Sequence, residues 1–262
     1  MVLADDNFAT IVNAVEEGRT VFANIQKFLR FLLSSNIGEV LIMFVGVVLA
    51  KVFGLTTAGD EVVVAPLLAT QILWTNLVTD GAPALALGLD PAEPGVMRHP
   101  PRPRGSGVIT REMWFGIAFV GVIVAAGTLL VLDASLPGGL IAGSGSIAYG
   151  RCMAFTTLIL FQMFNVFSAR SDTRSAFSQL FHNPWLWGSV AVSVALQLVV
   201  VYAPFLQQAF DTVPLRGSDW LLCTLVASSV LWLRELSKVV WHAIQRSRSH
   251  VSARRQRSSV GA

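Results

Sequence analysis

Charge is what this chain has least of. Only 13% of its 262 residues are Asp, Glu, Lys or Arg, where a soluble globular chain carries about a quarter. Cysteine is nearly absent as well. Cys152 and Cys223 are widely separated and each falls in an apolar stretch, so a disulfide framework or a Cys-rich metal site is excluded and both read as small packing residues. The N-terminus has no secretory signal, since it opens on acidic and amphipathic sequence. Internal repeats of the kind many secondary transporters carry are also missing.

What fills the chain instead is apolar sequence, 53% of all residues. It is gathered into runs of roughly 20, the length an α-helix needs to cross about 30 Å of hydrocarbon. These runs lie near 28–50, 66–88, 113–132, 149–168, 185–203 and 219–241. The expected fold class is therefore all-α: a polytopic membrane protein with six transmembrane helices in a bundle. Six crossings place both termini on one side. That side collects sixteen of the nineteen basic residues, leaving Lys51, Arg151 and Arg216 opposite. By the positive-inside rule both termini are expected in the cytoplasm.

Residues 1–27 precede the first run and form the expected stalk domain. Asp5, Asp6 and Asn7 can cap a helix whose apolar face is Phe8, Ile11, Val12 and Val15. Gly18 is the only weak point before Phe28, so a cytoplasmic stalk helix should continue into the first span. A helix lying on the membrane surface is the alternative. The stretch from Asp90 to Arg104 holds Pro91, Pro94, Pro100, Pro101 and Pro103 and should be a stiff, extended basic loop acting as a spacer. The loops on the opposite side are short or glycine-rich and leave no room for a folded domain. Residues 242–262 form a basic tail, expected to be disordered and to meet anionic headgroups. The excess of positive charge lies mostly in that tail, and no motif favours a nucleic-acid partner.

Two acids interrupt the apolar runs. One stands in Ser34-Ser35-Asn36-Ile37-Gly38-Glu39, the other in Asn76-Leu77-Val78-Thr79-Asp80-Gly81-Ala82-Pro83. Ionisable groups at membrane depth are costly and usually mark a path or a site. Asn36 and Glu39 share a helix face at i, i+3, as do Asn76, Thr79 and Asp80 at i, i+3, i+4. Carboxylates, amide carbonyls and hydroxyls are the oxygen ligands a hard cation takes. Gly81 and Pro83 weaken the backbone ladder after Asp80, and carbonyls freed at that depth can serve an ion. Gln162 and Asn165 repeat the i, i+3 spacing in the fourth run. The plainer reading is that Asn36, Thr79, Gln162 and Asn165 hydrogen-bond between helices, with Ser34 and Ser35 as packing or back-bonded hydroxyls. Glu39 and Asp80 resist that reading, because a buried acid needs a proton, a cation or a donor. A proton-linked role for one of them stays open.

The run Leu3-Ala4-Asp5-Asp6-Asn7-Phe8, then Glu16-Glu17-Gly18-Arg19, the Ser34–Glu39 motif and Leu73-Trp74-Thr75-Asn76-Leu77-Val78-Thr79-Asp80-Gly81 together resemble a type II P-type cation-transporting ATPase, calcium pumps and their bacterial counterparts above all. The proline-arginine loop fits the same pattern. The resemblance runs strongly to about residue 112, and thereafter by topology and scattered residues. It implies the last six of ten membrane helices, the C-terminal membrane domain of an ATP-driven cation pump in a bacterial plasma membrane. It implies metal-ligating roles for Asn36, Glu39, Asn76, Thr79 and Asp80, with Asp80 bridging sites where two ions bind. Gln162 falls where two-site calcium pumps carry a glutamate, and Asn165 joins the same helix. Calcium is the favoured transported cation, with sodium as the alternative.

The family's Asp-Lys-Thr-Gly-Thr, Thr-Gly-Glu-Ser and Gly-Asp-Gly motifs do not occur, nor does its Pro-Glu-Gly-Leu-Pro helix break. Phosphoryl transfer is positioning and electrostatics around the phosphate, so no ATP hydrolysis is expected from this chain alone. No cofactor is expected in it, and ATP and magnesium belong to the domains that are missing. The expected partners are the cation, the lipid bilayer and the N-terminal remainder of the pump. A stand-alone channel or secondary transporter, or a non-transporting remnant, are the alternatives.

Overall fold

The computed structural model describes residues 7–56, 63–92, 95–98, 100, 107–141, 143–170, 181 and 183–260, the last twenty as backbone only. Among the described residues eight α-helices carry the fold: α1 Phe8–Val48, α2 Ala69–Trp74, α3 Gly81–Gly88, α4 Arg111–Ser135, α5 Ile147–Ala169, α6 Pro184–Tyr202, α7 Pro204–Phe210 and α8 Gly217–Val260. No strand occurs among the described residues, only an isolated bridge between Thr56 and Val63. The all-α membrane architecture read from the sequence is what the structure has.

Five helices, α1, α4, α5, α6 and the first part of α8, are long and apolar enough to cross a membrane. The run expected near 66–88 is not among them. It is broken into α2, a π-helical turn over Thr75–Thr79 and α3. Pro83 supplies no N–H to the carbonyl four residues earlier, and the ladder widens just before Asp80, whose N–H reaches the Thr75 carbonyl at 2.9 Å.

Stalk and first span are one helix. Asn7 caps α1 by accepting from the Ala9 N–H at 3.0 Å, and α1 continues for 41 residues, about 60 Å at helical rise. Asp5 and Asp6 lie outside the described residues. Gly18 does not interrupt the helix. The apolar face expected on the stalk is uncovered, with Phe8, Val12 and Val15 exposed, since no other described element runs alongside them.

α5 is the central helix, buried over most of its length. It packs on α4 and α8, and α1 lies against α4. Small residues set the closest approaches. A Cβ on Gly121 would stand 2.6 Å from Ile37 Cγ2, and one on Gly127 would stand 2.4 Å from Phe161 Cζ. Cys152 and Cys223 are both unpaired by disulfide and fully buried in this core.

The bundle has two ends. At the far end, the described loop residues 49–56, 63–68, 136–141 and 143–146 meet α7 and residues 211–216. Gln71 accepts from the Leu68 N–H and donates to the Phe210 carbonyl, and Arg151 reaches the Ala65 carbonyl and Asp211. Asp133 holds the loop after α4 by accepting from the Leu140 and Ile141 N–H groups, each at 2.8 Å. The near end carries the stalk, Asp90 and the starts of α4 and α6. Arg102, Arg104 and Arg174 lie outside the described residues, as do Glu93 and His99. The backbone of α8 is helical to Val260. Residues 242–260 contain no Gly or Pro to stop it.

Candidate cation site

α1, the broken segment and α5 converge on Glu39. Its Oε2 accepts from Asn76 Nδ2 at 2.7 Å, and its Oε1 from Gln162 Nε2 at 3.0 Å. One carboxylate thus draws an amide from each of two neighbouring elements. Gln162 is fully buried, and its Oε1 has no hydrogen-bond partner among the described groups.

Asp80 sits where the π-turn hands over to α3. It is 0% exposed, and neither carboxylate oxygen has a hydrogen-bond partner among the described groups. Glu39 is close enough for its charge to act on Asp80. Three other buried acids, Glu39, Asp90 and Asp133, all accept hydrogen bonds. A buried carboxylate without donors must take up a proton or meet a cation. Asp80 is therefore the group that sets the chemistry of the region.

The remaining residues divide. Thr79 is fully buried beside Asp80, with its hydroxyl donated back to the Thr75 carbonyl at 2.8 Å, which leaves its oxygen able to accept. Asn165 stands a turn from Gln162 and donates to Ser34 Oγ at 2.8 Å, while Ser34 donates to the Phe31 carbonyl. These two satisfy each other across the α1–α5 contact rather than facing Glu39. Asn36 is exposed. The buried stripe of α1 runs through Phe31, Ser35, Gly38 and Ile42 with Glu39 at its edge. Asn36 lies about 60° beyond that edge at helical rotation.

Sequence reasoning missed a second polar centre. Asp90, expected to be part of a spacer loop, is 4% exposed and joins four elements at the near end. Its Oδ2 lies 2.8 Å from Lys27 Nζ and its Oδ1 3.1 Å from an Arg170 guanidinium nitrogen. Asn183 donates to the same Oδ1 and to the Ala86 carbonyl, and its own oxygen caps α6 at the Leu186 N–H. Asn24 donates to the Gly88 and Asp90 carbonyls. Burial disfavours the charged form of Asp90, but the Lys27 hydrogen bond and the charges of Lys27 and Arg170 outweigh it and hold the carboxyl below its usual range. The available signal was Lys27, a cation standing one residue before an apolar run with no acid three or four residues away on its own helix.

Residues 64–240 match the family model described as cation transporting ATPase, C-terminus. The calcium-transporting ATPase of Bacillus subtilis is 40% identical over 222 residues, covering 85% of this chain and 23% of the relative. Calcium-transporting ATPase 1 of Yarrowia lipolytica is 38% identical, covering 91% and 24%. Calcium-transporting ATPase type 2C member 2 of Mus musculus is 37% identical, covering 95% and 25%. The chain spans about a quarter of the length of these relatives.

Proposed function

This chain belongs to the cation-transporting ATPase C-terminal family, and from that premise we propose that it supplies the cation-binding membrane part of an ATP-driven pump, with calcium as the cargo. The observation that carries this reading is Asp80, buried with two oxygens that accept from no described group, beside a second acid. Two carboxylates, amide oxygens and a threonine hydroxyl form the hard-oxygen set that suits calcium. The amides of Asn76 and Gln162 now turn N–H groups toward Glu39. Half a turn of either amide would present its oxygen instead, so the same side chains can serve the free carboxylate or a cation.

The binding set under this proposal is Glu39, Asn76, Thr79, Asp80 and Gln162. Asn165 acts from behind by fixing α5 against Ser34. Asn36 joins the set only if α1 rotates by about 60° about its axis. The names of the relatives favour calcium over sodium. The basic residues gathered at the near end support a cytoplasmic location for that end.

Pump action would also need a partner. The elements that carry the site also carry exposed apolar side chains, Val40 and Phe44 on α1 and Leu73 and Leu77 on the broken segment. The N-terminal remainder of a P-type pump would cover these side chains and bring the phosphorylation machinery. Tilting of α1 under that machinery would then switch the site between packings of different ion affinity.

Equilibrium calcium binding to the purified chain in lipid nanodiscs tests the reading. Asp80→Asn should weaken binding by about tenfold or more, since ligand charge tunes calcium affinity. Equal affinity in wild type and Asp80→Asn would remove Asp80 from the site. Tighter binding of sodium than of calcium would overturn the cargo assignment.

A further inference from the structure

The far end holds a second feature unrelated to the acids. A cavity of about 500 Å³ lies between the last turn of α4, residues 143–146, the first turn of α5 and the start of α8. Ser144, Tyr149 and Met153 line it together with Arg216, Asp219 and Leu222. Small-molecule sites occupy roughly 300–1,000 Å³, so the volume suits a headgroup-sized ligand.

The two charges on the wall differ in state. Asp219 is engaged: it accepts from the Arg216 backbone N–H at 2.8 Å and from Ser218 Oγ at 3.3 Å, and Tyr149 faces it. The Arg216 side chain is exposed and hydrogen-bonds to no described group. Arg151, by contrast, is committed to Asp211 and the Ala65 carbonyl. The cavity therefore presents a guanidinium whose donors are available, in the fork geometry that matches a phosphate.

The opposite property comes from Leu222. It lines the cavity, is 45% exposed, and continues into Leu221 and Leu225, which are more exposed still. These leucines belong to a helix apolar enough to cross the membrane. The cavity thus opens onto the acyl-facing surface of α8, with a cation at its mouth. A soluble phosphate would use Arg216 and leave the apolar wall idle. We propose that this cavity binds one glycerophospholipid of the leaflet at that end, its phosphate on Arg216 and the start of an acyl chain along Leu222. The site is independent of the transport reading.

Native mass spectrometry of the purified chain from micelles doped with phosphatidylglycerol reads the retained lipid directly. Wild type should keep one lipid per chain. Arg216→Ala should lower the retained fraction roughly fivefold, the factor one interfacial cation supplies. Lys51→Ala, which removes a far-end cation outside the cavity, should leave it unchanged. Should Arg216→Ala lose its helical circular dichroism, Ser144→Trp fills the cavity with Arg216 in place and should release the lipid as fully. Equal retention in wild type and the folded variants would overturn the proposal. Displacement of the lipid by excess inorganic phosphate would overturn it too, by making the site one for free anions.

Discussion

Asp80 and Asp90 are ten positions apart, and the chain treats them oppositely. Asp80 is buried without donors, whereas Asp90 is buried among two cations and an amide. Removing the Asp90 charge would take the buried carboxylate away from Lys27, which is itself 4% exposed. Asp90→Asn should therefore cost about 3–5 kcal/mol of stability, the usual penalty for breaking a buried pair, read as thermal unfolding in detergent. The sign of the pH dependence follows from the carboxyl being held below its usual range. Its contribution is fully present above the unfolded-state value of about 3.9. It is lost progressively as pH falls toward and through the folded-state value. Melting temperature should thus drop on acidification in wild type and drop less in Asp90→Asn. Glu39 and Asp80 were legible in the sequence because an acid inside an apolar run is conspicuous. Asp90 was not, because an acid among prolines resembles loop sequence until its distant partners are brought to it.

At the level of elements, glycine decides how closely the helices approach. The α1–α4 contact needs Gly121, where an added Cβ would press on Ile37 Cγ2 at 2.6 Å. Gly121→Val should destabilise by roughly 1–3 kcal/mol through overpacking, while Gly18→Ala, with nothing within 4 Å, should stabilise α1 by up to about 1 kcal/mol. Chemical unfolding of the two variants beside wild type checks both directions. The π-turn makes a different prediction. A five-residue π-turn carries one residue more than an α-helix would need, so deleting Leu77 should convert the turn to α-helix and remove the widened backbone before Asp80, with the flanking helices kept in register. Calcium binding should then fall by less than in Asp80→Asn, with helical content unchanged. The long helices were legible from their apolar length alone. The break was anticipated at Gly81 and Pro83, yet its form was not, since composition does not say whether a weakened ladder opens, tightens or widens. α7 was missed for a similar reason, because seven residues are too few to show a period.

The molecule as a whole is a bundle that buries α5 and leaves large apolar areas of α6 and α8 outward. Such a surface belongs in lipid, and it makes orientation testable without altering the core. Cys152 and Cys223 are fully buried, so a cysteine added at an exposed position reports alone. Ser218→Cys should react with a membrane-impermeant maleimide in intact cells, and Met97→Cys only after permeabilisation. The reverse pattern would invert the assignment of the two ends. Architecture at this scale was legible because the bilayer fixes helix length and polarity together. The number of crossings was less so, because a segment can be apolar enough in sequence and still be broken in shape.

That broken segment has a consequence for how the protein is made. The stretch from Ala69 to Gly88 offers the insertion machinery two short helices and an acid. An Asp at the middle of a spanning helix raises its insertion cost by about 2.5–3.5 kcal/mol. Its amide partner for Glu39 lies on the same stretch, and α5, which donates the other, is synthesised later. During synthesis, this segment depends on the helices before and after it to enter the bilayer. The polar site is thus also the place where the order of assembly is decided.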